Sequence, residues 1–305
     1  GVLTLAIDRA IAKNAIYSGL YLWIAQALDQ ANVSDEVRVV VLRGAGDDFT
    51  AGNDMQDFLD SLQNPISTSA AEQPPFILLK SAAKLSKPLI IAVKGVAIGI
   101  GVTLLLHADL VYADESAVFQ LPFVSLGLSP EGGASKLLQQ QVGYHHAAEL
   151  LLTAQKFNAH TAEKFGLINQ VFSNEHLRAP FHLMALMEHH DVYDFANETA
   201  KNMAKLPIAS LKQTKALMKQ NLPEILEWID EEAEIFMQRV KSPELHEAVN
   251  AFLEKREEWK EAREREREGL EARVRREVEW LRRGAKARTR KSKARLDSAA
   301  RMIDT

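Results

Sequence analysis

Short runs of Val, Ile and Leu alternate with turns and helical patterns along the first part of the chain. Four of these runs are rich enough in branched aliphatic residues to predict buried strands, and they lie at 2–7, 37–42, 88–96 and 109–119. Helical patterns follow at 19–30, at 101–108 and from Ser135 onward. The pattern predicts an α/β fold of repeated strand–strand–helix units that gives way to a helical second half.

Two later segments carry signals of their own. Residues 161–165 form a helical pattern that Gly166 stops, and one more strand follows up to Phe172. Residues 178–192 contain Pro180 and a His-His pair, and they predict a loop or an insertion before the next helix.

Charge divides the chain into two parts. From Glu254 to the end, 18 Lys and Arg face 12 Asp and Glu, a balance of +6, whereas the preceding residues carry −10. The Glu- and Arg-rich run 257–279 predicts a long solvated helix with i,i+4 ion pairs, and 281–295 holds eight basic and no acidic residues. We therefore predict a core at 1–190, a helical region at 191–252 and a charged helical tail at 253–305 with a disordered basic end.

Composition excludes several classes of function. The 305 residues include no Cys, which rules out disulfides, thiolate nucleophiles and Cys-ligated metals and suits a cytoplasmic protein. No apolar run approaches a membrane span, so we expect a soluble protein without a membrane partner. Neither GxxxxGK(S/T) nor GxGxxG occurs, which argues against ATP or dinucleotide binding. The His-containing segments 145–149 and 188–191 lack a partner motif, so no metal site is predicted.

Glu131 lies in the turn Leu128-Ser129-Pro130-Glu131-Gly132-Gly133, between an apolar segment and a helical pattern. The proline and the two glycines around this one carboxylate suit a backbone that aims a side chain, as a proton-transfer base requires. The alternative is an ordinary residue of a helix N-terminus, which the helix dipole favours. The local sequence alone leaves both interpretations open.

Two glycine-bearing turns could bind a ligand through backbone N–H groups. The first is Ala51-Gly52-Asn53-Asp54, and the second, Gly99-Ile100-Gly101, joins a strand to a helix. Small residues allow a ligand to approach the backbone closely, and two convergent N–H donors form an oxyanion hole. Tight packing of the strand on the helix is the alternative explanation of the second turn.

Together these motifs resemble the crotonase (enoyl-CoA hydratase/isomerase) superfamily, and in particular its Δ3,Δ2-enoyl-CoA isomerase branch. The resemblance covers residues 1 to about 252, and its motifs agree in order and spacing. They lie at 51–54, 87–95, 99–103, 109–113 and 129–132. The resemblance implies a crotonase-like spiral of ββα units, a helical trimerisation region, and a homotrimer or dimer of trimers.

The resemblance also implies a chemistry. Glu131 would be the catalytic base, and the backbone N–H groups of Asn53 and Ile100 would form an oxyanion hole for a thioester enolate. The substrate would be a coenzyme A thioester, with no further cofactor and no metal. An apolar lining that includes Phe123 would raise the pKa of Glu131. The implied contacts with CoA or substrate fall at Ala15, Ala51, Gly52, Asp54, Gly99 and Phe123.

Residues that differ from the superfamily pattern indicate which of the superfamily's reactions to expect. Hydratases carry two glutamates that manage the added water, and Thr103 and Phe123 occupy those places here. One glutamate suits the isomerisation of 3-enoyl-CoA to 2-enoyl-CoA in a β-oxidation type of fatty acid metabolism. The alternatives are a hydratase, a dienoyl isomerase, a thioesterase, or a non-catalytic binding protein that acts through its basic tail.

The tail from Phe252 to Arg295 is similar to part of the linker region of F-class ABC ATPases, which act on ribosomes. About fifty residues are covered, and no nucleotide-binding domain accompanies them, so no ATPase activity is implied. The basic run suits electrostatic binding to RNA or another polyanion. A solvated helix with a disordered end is the alternative.

Overall fold

The structure, a computed structural model, describes residues 1–63, 69–172 and 191–282. Its strands are β1 (Val2–Ile7), β2 (Val39–Gly44), β3 (Leu89–Val93), β4 (Val96–Ile98), β5 (Leu110–Asp114), β6 (Val118–Gln120), β7 (Phe157–Asn158) and β8 (Gln170–Phe172). Its helices are α1 (Ser18–Val33), α2 (Met55–Gln63), α3 (Pro74–Lys84), α4 (Ile100–Thr103), α5 (Ala134–Val142), α6 (Tyr144–Thr153), α7 (Ala159–Phe165), α8 (Val192–Ala204), α9 (Ile208–Met218), α10 (Leu222–Val240) and α11 (Pro243–Arg282).

A parallel five-stranded sheet in the order β1-β2-β3-β5-β8 forms the centre of the fold. The residues of β3 are buried without exception, and those of β2 nearly so, because side chains on both faces of the sheet are covered. On one face, Val41 and Ile90 pack in the same cluster as Ala196 of α8. Each such aliphatic side chain contributes about 1.5–3 kcal/mol when it leaves water.

A second sheet holds β4, β6 and β7, with β4 parallel and β7 antiparallel to β6. Two isolated bridges resemble reduced strands: Thr50 pairs with Ala97 of β4, and Ile16 pairs with Asn53. Successive segments therefore supply a strand to the large sheet, then a strand or a bridge beside it, and then a helix. This succession agrees with the α/β spiral of ββα units that the sequence predicts.

Two predicted strands are each broken in two. The run 88–96 divides into β3 and β4 because Gly95 has φ +52° and lies so close to the preceding loop that a Cβ there would be 2.2 Å from Asp47 O. The run 109–119 divides into β5 and β6 at a turn in which the Ser116 N–H donates to Asp114 Oδ1 at 2.9 Å. Each break coincides with residues untypical of a buried strand, Lys94-Gly95 in the first run and the partly exposed Asp114-Glu115-Ser116 in the second, which the prediction of unbroken strands overlooked. The short strand β7 also interrupts the predicted helical second half.

The stop signal at Gly166 is confirmed. Helix α7 ends at Phe165, Gly166 follows with φ +83°, and β8 then joins the edge of the large sheet. The predicted loop or insertion at 178–192 lies almost wholly outside the described residues. Asp191 is described, and its carboxylate accepts the Tyr193 and Asp194 N–H groups as the N-cap of α8.

The chain divides into two compact units, Gly1–His246 and Glu247–Thr305. Helix α11 continues to Arg282, and Glu271 forms i,i+4 ion pairs with Arg267 at 3.8 Å and Arg275 at 3.9 Å. The predicted charged helix is thus present in the described residues, whereas most of the basic run lies outside them. The boundaries after residues 190 and 252, and the trimeric assembly, stay predictions.

Within residues 1–63, 69–172 and 191–282, no helix combines the length and the apolar composition needed to cross a membrane.

A buried ion pair connects α9 to the central sheet. Lys215 Nζ lies 2.6 Å from Asp109 Oδ2 and also donates to Lys87 O at 2.7 Å. Asp109 Oδ2 in turn accepts the Leu89 N–H at 2.7 Å, at the start of β3. Burial lowers the pKa of Lys215, and the Asp109 carboxylate opposes that shift. The pair therefore fixes the helix against the point where two central strands begin.

We expect Lys215→Met to lower the free energy of unfolding by about 3 kcal/mol, because it leaves the mostly buried Asp109 carboxylate without its cation. The matched control is Lys212→Met, an exposed lysine on the same helix, which should change stability by less than about 0.5 kcal/mol. Urea unfolding of both variants measures the difference. Equal midpoints for the two variants would contradict this account of the ion pair.

Candidate active site

The turn after β2 presents one backbone donor that the protein itself does not use. The N–H groups of Ala51, Gly52 and Asp54 donate to Lys13 O (2.9 Å), Thr50 Oγ1 (3.1 Å) and Ile16 O (2.9 Å). Within the described part of the chain, the Asn53 N–H has no acceptor. Since backbone donors are seldom left unpaired, this group is available to a ligand.

The second turn has the same property. The Gly99 N–H donates to Gln120 O at 2.9 Å, and Gly99 O accepts the Val102 N–H at 2.8 Å. The Ile100 N–H, at the start of α4, has no acceptor among the residues that the structure describes. Gly99 has φ +56°, and a Cβ there would meet no atom within 4 Å, so the space in front of this turn is open.

The two turns touch each other. A Cβ on Gly52, which has φ +86°, would lie 2.7 Å from Ile98 O. A Cβ on Gly101 would lie 2.7 Å from the Thr50 Cγ2 atom. Only glycine permits this approach, which brings the turns that carry the Asn53 and Ile100 donors together. The second turn is therefore tightly packed, and both turns carry an N–H without an acceptor among the described residues, whereas their joint role as an oxyanion hole stays a prediction.

Glu131 lies in the loop before α5 and is 1% exposed. Both of its carboxyl oxygens are buried and accept no hydrogen bond from the described residues. Gly132 and Gly133 follow with φ +77° and +74°, a conformation that side chains rarely adopt. A Cβ on Gly132 would lie 3.1 Å from Leu79 of α3 and 3.4 Å from Thr103 of α4, so the loop packs directly on the helix that begins at Ile100.

His107 holds the carbonyl of this loop. Its Nε2 lies 2.9 Å from Gly132 O, and because a carbonyl only accepts, the proton resides on Nε2. Burial lowers the pKa of His107 to about 3, with a further contribution from the nearby Lys219 ammonium. The imidazole is therefore neutral at ordinary pH and acts as a fixed donor.

Glu232 of α10 binds the N-terminus of α5. Its Oε2 accepts the Gly133 N–H at 2.7 Å and the Ala134 N–H at 3.1 Å, and its Oε1 accepts the Ser135 N–H at 2.8 Å. Burial raises the pKa of Glu232 above its ordinary value, although the hydrogen bonds from Ser135, Gly133 and Ala134 oppose the shift. The site thus holds two buried carboxyl groups, one bonded at both oxygens and one bonded at neither.

Burial raises the pKa of Glu131 to about 8, and the negative charge of Glu232 adds to the shift. The upward shift agrees with the apolar surroundings expected from the sequence, but the contribution of the Glu232 charge was not expected. Phe123, predicted as part of the lining, is buried at the start of a short 3-10 segment, Val124–Leu126. A carboxyl group with a pKa near neutrality is suited to remove and return a proton.

A small pocket, in part open to solvent, lies beside the Asn53 turn. Phe58, Phe76 and Phe236 form an apolar wall, and Phe236 makes edge contacts with both other rings. Tyr21 also lines the pocket and donates a hydrogen bond to Asn53 Oδ1. Burial and then the charge of Glu131 raise the pKa of Tyr21, so this phenol, which bonds the Asn53 side chain, is also close enough to the candidate base to feel its charge.

Two predicted contact residues are already engaged. The Ala15 N–H donates to Ala12 O at 3.1 Å, and Ala15 O accepts Arg9 Nη1 at 2.6 Å. The Asp54 carboxylate accepts Arg9 Nη1 at 2.9 Å and the Gln56 N–H at 3.1 Å. Burial would raise the pKa of Asp54, but these hydrogen bonds outweigh it and lower the pKa. Any ligand contact at these residues would add to existing bonds rather than fill an open position.

Sequence reasoning missed Tyr21, His107 and Glu232, and it also missed Asn14, whose side-chain nitrogen donates to Ala45 O (2.9 Å) and Asp48 O (2.6 Å). A signal for Glu232 was present. It lies on the buried face of α10, whose other buried members are Ile225, Ile229, Ala233, Phe236 and Val240. A charged residue within such an apolar stripe needs a buried partner.

Comparisons with known proteins agree on one family. The sequence model described as enoyl-CoA hydratase/isomerase matches residues 1–263. The 1,2-epoxyphenylacetyl-CoA isomerase of Escherichia coli (strain K12) is 32% identical over 259 residues, which cover 84% of this chain and 93% of that protein. Enoyl-CoA delta isomerase 2 of Rattus norvegicus is 33% identical over 238 residues, which cover 76% of this chain and 56% of that protein.

Solved structures agree as well. A crystal structure from Acinetobacter baumannii with the provisional description enoyl-CoA hydratase/isomerase is 64% identical, with a TM-score of 0.75. The match covers 83% of this chain and 95% of that one.

We expect Gly52→Ala to destabilise the protein by about 3 kcal/mol, since the new Cβ meets Ile98 O in addition to the cost of about 1–2 kcal/mol for a left-handed residue. Gly46→Ala is the matched control, because Gly46 also has a positive φ (+70°) but its Cβ would come no closer than 3.8 Å to another atom. The free energy of unfolding of Gly46→Ala should fall by the conformational cost alone. Chemical unfolding compares the two, and equal losses would show that the contact between the turns is not tight.

Glu131→Gln should make the protein more stable at pH 7. The unfolded chain releases a proton above the ordinary glutamate pKa of about 4.5, whereas the folded protein keeps it until about pH 8. Folding is therefore disfavoured as pH rises through this window. At about 1.4 kcal/mol for each pH unit, the penalty removed by the variant reaches about 3 kcal/mol at pH 7.

The gain in stability should disappear near pH 4, where Glu131 is protonated in both states. Thermal unfolding of wild type and variant at pH 4 and pH 7 measures it. A variant that is equally or less stable at both pH values would show that Glu131 is not held in its neutral form.

Proposed function

The chain belongs to the enoyl-CoA hydratase/isomerase family, and on that premise we propose that it isomerises 3-enoyl-CoA to 2-enoyl-CoA with Glu131 as the single proton carrier. The observation that carries the proposal is the buried carboxyl group whose two oxygens have no hydrogen-bond donor in the described part of the protein. Such a group is free to exchange a proton with a substrate. The loop that bears it packs on α4, beside the two available N–H donors.

The proposed reaction begins when the Glu131 carboxylate removes a proton from C2 of the thioester. The electron pair of that C–H bond moves into the conjugated system, and negative charge develops on the thioester oxygen. The Asn53 and Ile100 N–H groups, which have no acceptor among the described residues, would stabilise this charge. Protonated Glu131 then returns its proton to C4, so the double bond lies between C2 and C3 and the base is regenerated.

The surroundings of Glu131 favour isomerisation over hydration. Hydration requires groups that hold and activate a water molecule, but Thr103 and Phe123 offer no carboxylate at the places where hydratases carry theirs. Glu232 does not replace them, because its two oxygens are occupied by three backbone N–H groups. The proposal therefore assigns all proton transfer to one residue.

We expect Glu131→Gln to lower isomerase turnover by about 100-fold to 10,000-fold while the protein still binds the thioester, because the change removes the base and keeps its size. Turnover is followed by the appearance of the conjugated 2-enoyl thioester, and binding by calorimetry with the product. Glu234→Gln, an exposed glutamate on α10, is the control and should keep wild-type activity.

Either of two results would contradict the proposal: a Glu131→Gln variant with near-normal turnover, or a wild type that converts 2-enoyl-CoA efficiently to 3-hydroxyacyl-CoA. The second result would favour the hydratase alternative within the same family.

The pH dependence provides a separate test. Because the base must be ionised and burial raises its pKa to about 8, kcat/KM should fall about tenfold for each pH unit below 8 and level off above it. A profile of kcat/KM from pH 6 to 9.5 measures this limb. An ionisation near the ordinary glutamate pKa would leave the profile flat over that range and would contradict the assignment.

A further inference from the structure

We propose that Glu232 is a positioning residue for the base: its carboxylate holds the turn after Glu131 in place and sets the proton affinity of the Glu131 carboxyl group. The inference rests on the proposed function, since it concerns the same proton carrier. It adds a second glutamate, on a helix about one hundred residues later in the chain, that acts without touching the substrate.

The geometry of the N-terminus of α5 supports the positioning role. A helix leaves its first N–H groups without partners inside the helix, and the residue before α5, Gly133, has no side chain to accept them. Glu232 supplies the missing acceptor from α10, with three N–H bonds of 2.7–3.1 Å. The first of these bonds is made by Gly133, two residues from Glu131.

The other end of the same peptide group is held by a different residue. His107 bonds the Gly132 carbonyl at 2.9 Å, so the one peptide group that joins Gly132 to Gly133 is bonded at its carbonyl by His107 and at its N–H by Glu232. Both glycines have left-handed φ values and, without a Cβ, little intrinsic preference for this one conformation. The hydrogen bonds from outside the turn therefore determine where the Glu131 side chain begins.

Two charged or titratable side chains interact electrostatically with Glu131 in the described part of the chain, Glu232 from α10 and the Tyr21 phenol from α1. The neutral His107 imidazole bonds the carbonyl of the next residue, Gly132. Two residues before Glu232, Asp230 forms an ion pair with Lys80 of α3, so those charges compensate each other. Glu232 is therefore the neighbour whose negative charge opposes ionisation of Glu131, in addition to burial.

The difference in bonding separates the roles of the two glutamates. Glu232 receives three N–H bonds, which favour its charged form, whereas Glu131 receives none from the described residues. A carboxylate that is fully bonded is stable as an anion and does not exchange protons readily. Burial raises the pKa of Glu232 and its hydrogen bonds oppose that shift, so Glu232 is the glutamate whose anion is stabilised by bonding, and Glu131 is the one left to exchange protons.

The test compares Glu232→Gln with Glu231→Gln, the exposed glutamate one position earlier, which removes the same formal charge from the surface. In Glu232→Gln, the carboxyl group of Glu131 should titrate about one pH unit lower, and the acidic limb of kcat/KM should shift by the same amount. The plateau of kcat/KM above this limb should fall about tenfold. The amide of Gln accepts hydrogen bonds through its oxygen only, so the turn is held less firmly and the base is less well placed. The control should match wild type in all three.

The titration is read directly from glutamate labelled with 13C at the side-chain carboxyl, with the Glu131 resonance assigned by its absence in Glu131→Gln. This readout does not depend on any reaction. If Glu131→Gln is fully active but the resonance still shifts in Glu232→Gln, the proposed function fails and the inference about Glu232 stands. If Glu131→Gln is inactive but the resonance does not shift, the inference alone fails.

A second measurement covers the case in which Glu232→Gln does not fold. In the wild type, the Glu232 resonance should remain that of an ionised carboxylate throughout the pH range in which Glu131 titrates. Protonation of Glu232 at the same pH as Glu131, or at a higher pH, would overturn the proposal without any variant. A merely structural role for Glu232 would leave the pH limb of activity and the Glu131 titration unchanged.

Discussion

An enclosed carboxyl group without a hydrogen-bond partner among the described residues is the feature on which the arrangement of this site depends. Burying such a group costs several kcal/mol, and it persists only where the surrounding structure prevents the side chain from turning toward water. The two left-handed glycines after Glu131, and the bonds that His107 and Glu232 make to them, provide that restraint. The free energy gained by packing the large sheet and the helix layers around the site offsets this cost.

The fold supplies this restraint from distant parts of the sequence. The turn with Asn53 is tied to the segment after β1 by Lys13, Asn14 and Ile16, and it touches the turn before α4 through a glycine contact. The loop with Glu131 then packs on α4, and α10 binds that loop from outside. The active groups therefore come from three parts of the spiral, the turn with Asn53, the turn before α4 and the loop with Glu131, and the later helix α10 holds the last of these in place.

Local signals predicted much of this arrangement. The boundary of β1, the helix stop at Gly166 and the special backbone of the Glu131 turn follow from residues close together in sequence, so they could be predicted. The breaks in the strands at 88–96 and 109–119 are marked by Lys94-Gly95 and by Asp114-Glu115-Ser116, but the sheet that each half joins could not be predicted, because short buried runs look alike whichever sheet they serve. The same limit applies to His107, whose role depends on a carbonyl 25 residues later.

The two available donors in this site are main-chain groups, which has a consequence for how such a protein changes over evolutionary time. Every substitution except one by proline changes the side chain and keeps the peptide N–H, so activation of a thioester through Asn53 and Ile100 would survive most single replacements around it. Carboxylates can then be gained or lost at neighbouring positions, such as those of Thr103, Phe123 and Glu131, one at a time. Each change would alter which proton moves, while the two N–H groups would still stabilise an enolate. One scaffold can thus acquire different reactions without passing through an ancestral protein that has lost all activity.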